Sequence, residues 1–144
     1  MSEMKTVIYP NRKDFGPGPW NDEPDKANWI DEETGLDCMI IRNVDMGNLC
    51  GYVGVPLDSK LSGIDYNDIE INVHGGLTYS ERCSGNICHE AEIEVFWFGF
   101  DCAHFMDLSP GLKSKILISK AIYRDFNYVK SEVESLAKQL KALL

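Results

Sequence analysis

Residues 97–104 read Trp97-Phe98-Gly99-Phe100-Asp101-Cys102-Ala103-His104, and Val95 and Phe96 carry the apolar run further upstream. A half-exposed strand alternates apolar and polar side chains, and this run does not. It is read as a strand buried on both faces. The run then passes from Phe100 into Asp101, Cys102 and His104, side chains that hold protons or metals. A rigid strand fixes groups at its end more firmly than a loop can, which is what a metal site needs.

Upstream, Cys38 to Arg42 and Leu49 to Val55 are short, apolar and β-branched, joined by NVDMGN, and are expected to form a hairpin of strands. Ile69-Glu70-Ile71-Asn72-Val73-His74 alternates strictly, so it is expected as a strand with Ile69, Ile71 and Val73 on one face and His74 on the other. Gly75-Gly76 interrupts it before Leu77-Thr78-Tyr79, and SERCSGNICHEAE is expected to be a loop. Downstream, Phe126, Val129, Val133, Leu136, Leu140 and Leu143 recur at the spacing of an amphipathic helix, with Glu134 and Lys138 expected to pair on its outer face. SKILISKAI fits helix or strand. The first forty residues hold four of the six prolines, and Trp20 and Trp29 are expected to clip that segment onto the body.

These elements predict a single α+β domain over residues 1–144: an irregular proline-rich wrap (1–36), a mostly antiparallel sheet of about four to six strands with the metal site (37–108), and a helical region (109–144) whose long helix packs across the sheet. The length suffices for a self-supporting core. A formal charge of −9 repels phosphate backbones, so nucleic acid is not expected as a direct ligand and a basic protein partner is. No apolar window reaches the roughly 18 residues of a membrane span and no signal core is visible, giving a cytoplasmic expectation. Five cysteines, an odd number, argue against a full disulfide framework.

All three histidines and three of the five cysteines fall between positions 74 and 104. Imidazoles and thiolates are the donors zinc prefers, so zinc is the expected cofactor. The preferred quartet is His74, Cys83, His89 and His104, with Cys88 and Cys102 as substitutes and Asp101 or Asp107 as acceptors behind the ligands. In an extended run Cys102 and His104 share a face. A cysteine hydrolase built from Cys102 or Cys88, His74 or His104, and Asp101 or Asp107 is the alternative, as is a catalytic zinc with Glu90 or Asp101 as base. The bland alternative is buried thiols and hydrogen-bonded histidines. Phosphate-loop, nucleophile-elbow and helical zinc-protease motifs are absent from the sequence.

The runs GPGPW, NDEPDKANWID, LCGYVGVP, VHGGLTY, ICH and WFGFDCAH, with the closing YRDFNYVKSEVESLAKQL, resemble a family of small proteins encoded in bacteriophage and prophage genomes. The resemblance spans roughly residues 16 to 140. Size, acidity and the expected metal site are also similar to those of phage anti-CRISPR proteins that inhibit the type II CRISPR effector nuclease. That resemblance implies a stoichiometric inhibitor, not an enzyme: an acidic face binds the host nuclease and keeps target DNA from loading, while a structural zinc holds the fold. A pocket around His74 and Gly75-Gly76 for a nucleotide immune signal is the competing expectation.

Overall fold

The doubly apolar run becomes the second-last strand of a six-stranded sheet. The computed structural model describes residues 3–82, 94–111 and 121–144. Its strands are β1 (Lys5–Val7), β2 (Lys26–Ile30), β3 (Asp37–Arg42), β4 (Leu49–Pro56), β5 (Tyr79–Arg82) and β6 (Val95–Asp101), and one helix, α1 (Phe126–Leu143), follows. The sheet order is β1-β2-β3-β4-β6-β5 and every neighbouring pair is antiparallel. An antiparallel sheet packed by a C-terminal helix is the α+β architecture expected.

Both faces of the central strands are buried, which is why their sequences do not alternate. Cys38, Ile40, Val53, Val55, Phe96, Phe98 and Phe100 share one cluster with Val129, Val133, Leu136, Ala137 and Leu140 of α1. Met39, Ile41, Tyr52, Val95 and Trp97 form a second cluster from the opposite side of the same strands. Each fully buried aliphatic or aromatic side chain contributes about 1.5–3 kcal/mol, so the helix stripe and β6 carry much of the stability. The helix start is capped twice: Asp125 accepts from the Tyr128 amide (2.8 Å), and Glu23, far away in sequence, accepts from the Phe126 amide (2.8 Å).

Three local expectations change. Residues 1–36 contribute β1 and β2 to the sheet, leaving the irregular wrap to the stretch between them, where Trp20 is buried edge-on to Tyr123 (5.1 Å). Trp29 is buried in the main core as a clip would be, but from within β2. On α1, Glu134 pairs with Lys130 (3.3 Å), while Lys138 reaches Glu33 (3.3 Å).

Residues 69–74 lie outside the sheet. Their alternation is real, since Val73 is buried and Ile69 and Ile71 pack on the main core. The backbone partner is a helix side chain: Gln139 Oε1 accepts from the Asn72 amide and Gln139 Nε2 donates to the Asn72 carbonyl, each at 2.8 Å. The crossover from β4 to β5 is thereby tied to α1, and it carries His74. Gln139→Ala is expected to cost about 1–2 kcal/mol, two modest hydrogen bonds. Hydrogen exchange should quicken at Asn72 before it does at β4; unchanged protection there would assign the tether no role.

Candidate functional site

His74 leaves the crossover pointing at the end of β6 and the start of α1. Its amide donates to Glu132 (2.8 Å). The ring is held at both nitrogens: Nε2 donates to Asp107 Oδ2 (2.8 Å), and in the neutral ring Nδ1 accepts from the Tyr128 hydroxyl (2.8 Å). Asp107 is buried, and its other oxygen accepts from Arg124 Nε (2.9 Å), while Oδ2 also accepts from the His104 amide (3.1 Å). Burial alone would raise the Asp107 pKa; hydrogen bonds from His74, Arg124 and the His104 amide more than offset it and hold the carboxyl below its ordinary range. Burial and the Glu132 carboxylate push the Tyr128 phenol up, so it remains a donor.

This network braces a short turn at residues 104–107. The Asp107 amide closes onto the His104 carbonyl (2.9 Å), and Met106 adopts φ 73°, a left-handed conformation that is costly for a side chain of its size. Met106 and Leu108 exchange backbone hydrogen bonds with Ile122 (2.8 Å each). At the apex Phe105 is 90% exposed, and Ile122 is 54% exposed. Behind the turn, the His104 ring lies on the backbone of Gly75, where a Cβ would sit 2.2 Å from ring atoms and where φ is +68°. Only glycine fits that position of the VHGG run.

Of the expected zinc ligands, the structure brings His74 and His104 together, with ring centroids 6.1 Å apart. Cys83 and His89, and the substitute Cys88 with Glu90, lie outside the described residues. Ligation by His74 would require releasing one of its two ring hydrogen bonds. His104 Nε2 is 3.3 Å from Asp101 Oδ1 but is not aligned with it for a hydrogen bond. Among the described residues, no group of three or more His, Cys, Asp and Glu side chains is arranged to hold a metal ion.

Cys102 departs from expectation. β6 ends at Asp101 and the chain bends there, so Cys102 turns into the core, 1% exposed, while His104 is turned partly outward. Two-residue alternation does not extend past a strand's end. Cys38, Cys50 and Cys102 are free thiols. Burial pushes Cys50 up to about 12, with Asp101 adding to the shift, and carries Cys38 and Cys102 well above the ordinary thiol range. They are protonated near neutral pH, whereas an attacking sulfur is a thiolate.

Arg124 and Tyr128 complete the network and had no signal in the sequence, because the helical stripe marks only packing positions. A fold of this class, an antiparallel α+β domain with a braced, aromatic-tipped turn, is what the site defines. Comparison with protein-family models, with curated proteins and with solved structures gives no match to the chain.

Proposed function

We propose that the chain acts by stoichiometric association, as an acidic phage counter-defence protein. Its partner is a basic protein, the type II CRISPR effector nuclease, which it keeps from loading target DNA. The observation that carries the binding part is Phe105, 90% exposed on a strained turn that a buried carboxylate holds in place. An exposed aromatic on a preorganised support is the kind of side chain that dominates protein interfaces. A formal charge of −9 supports a basic partner, and the similarity in size, acidity and expected metal site to phage anti-CRISPR proteins supports that particular nuclease. Protonated, buried thiols and a His74 ring engaged at both nitrogens support binding over hydrolysis. Binding by this turn needs no ion; a zinc site would combine His74, Cys83, His89 and His104, with His74 releasing one of its ring hydrogen bonds, and elemental analysis finding about one zinc per chain would add it.

In size-exclusion chromatography at low salt, the chain and the purified effector nuclease are expected to co-elute at equal stoichiometry, with the complex weakening as salt rises. Phe105→Ser should weaken the complex by about tenfold or more while leaving the melting temperature unchanged, since the side chain packs against little. Separate elution at low salt removes the partner assignment.

A further inference from the structure

We infer that a cavity on the face of the sheet opposite α1 binds a compact organic cation, a guanidinium or ammonium group. The cavity, of about 500 Å3, falls within the usual range of small-ligand sites. Three sequence runs converge on it: Asn48, Cys50 and Tyr52 around LCGYVGVP, Thr78 and Tyr79 of VHGGLTY, and Phe100, Asp101 and His104 of WFGFDCAH. Among the described residues, neither lysine nor arginine lines it.

Its apolar wall is built over a missing side chain. Tyr52 and Tyr79 are both cross-strand partners of Gly99, one from β4 and one from β5. A Cβ at position 99 would lie 2.3 Å from the Tyr52 ring, so the glycine is what lets the ring settle there. The two rings meet edge to face, with centroids 5.5 Å apart. At the polar end, Asp101 stands directly across from Cys50 in the sheet register. Asp101 Oδ1 accepts from the Ala103 amide (3.1 Å) and has His104 Nε2 3.3 Å away, while Oδ2 accepts from the Thr78 hydroxyl (3.2 Å) and keeps capacity for a further donor. Asn48 is only 3% exposed, its Nδ2 donates to Cys50 Sγ (3.8 Å), and its Oδ1 has no hydrogen-bond partner among the described residues. A buried acceptor without a donor is rare in a folded protein and marks a place where a donor is missing.

Acceptors, a carboxylate and paired aromatic rings, with no competing lysine or arginine among the described residues, select for a ligand rich in N–H donors and positive charge. Anions are excluded by Asp101, and a neutral apolar ligand would leave the carboxylate and Asn48 unanswered. The cation can be a free metabolite or an arginine side chain presented by another protein. The inference stands on the cavity alone, so it survives if no nuclease complex forms.

The test is a titration of the full chain with agmatine, and separately with the capped tripeptide acetyl-Gly-Arg-Gly-amide. Amide resonances of Asn48, Thr78, Tyr79 and Asp101 are followed by NMR. Saturable shifts with agmatine assign a free cation; shifts with the tripeptide alone assign a protein side chain. Asp101→Asn should weaken binding by about tenfold or more. Tyr79→Leu, at the edge of the sheet, should weaken it about two- to fivefold and serves if the first variant fails to fold. Absence of shifts with both probes, or binding that neither variant alters, overturns the assignment.

Discussion

Arg42→Met is expected to lower the unfolding free energy by about 3–5 kcal/mol, the cost of leaving buried charge uncompensated. Against a typical domain stability of about 5–15 kcal/mol this is a large fraction. The side chains of Arg42 and Asp25 are both wholly buried, and Arg42 Nε donates to Asp25 Oδ1 at 2.7 Å. The other guanidinium nitrogens donate to the Gly47 carbonyl (2.8 Å), the Tyr123 hydroxyl (2.9 Å), Glu23 (3.2 Å) and the Pro24 carbonyl (3.3 Å). Methionine fills similar space but answers none of these acceptors. Arg12 also reaches Asp25 (2.9 Å), from a position nearer solvent, so Arg12→Met should cost less. Urea unfolding of the two variants checks the order; an Arg42→Met midpoint close to wild type would show that the network contributes nothing net.

The same network sets an acid limit. Burial alone would raise the Asp25 pKa, but hydrogen bonds from the Tyr9 amide, Arg12 and Arg42 more than offset it, and the carboxyl titrates below its ordinary range. Asp107 is shifted the same way. A carboxyl with a lower pKa folded than unfolded contributes stability that is complete above the unfolded value of about 4 and is lost as pH falls through the folded value. Stability is therefore expected to hold through neutral pH and to fall away below about pH 4.

What the sequence disclosed follows the reach of each signal. The stripe from Phe126 to Leu140 gave α1 because a helix buries one face at a fixed period, and Val129, Val133, Leu136 and Leu140 are buried on it together with Ala137. β3 and β4 were visible as β-branched runs. The alternation at 69–74 reported correctly which side chains face the core, but facing is not pairing: the sheet partner it suggested is replaced by Gln139. β2 was hidden because Lys26–Ile30 buries only Ala27 and Trp29 in a charged setting, a pattern too short to separate from an aromatic clip. The site was least legible. His74 meets Asp107 33 residues on and Tyr128 54 residues on, and no local spacing encodes either contact. Of the histidine cluster, the fold brings His74 and His104 together, and His89 lies outside the described residues.

Asp107→Ala should be the second most damaging change, because one buried carboxylate holds three groups at once. Removing it frees Arg124 Nε, His74 Nε2 and the His104 amide together. Arg124 keeps partial contact with water and stacks on the Tyr128 ring (5.1 Å), which moderates the loss. About 2–4 kcal/mol is expected, below the wholly buried Arg42 case. Asp107→Asn should recover part of it: an amide oxygen still accepts, but cannot answer Arg124 with charge. The consequence for function differs from that of a core truncation, since Met106 sits at φ 73° in the turn that Asp107 braces. Without Asp107 the turn should relax, and Phe105 would no longer be presented from a fixed support. Partner affinity should then fall in Asp107→Asn even at temperatures where the variant is fully folded, whereas a core change of equal cost, such as Val133→Ala, should leave affinity intact. Equal affinity for the two variants would separate the buried carboxylate from recognition and leave it a purely structural brace.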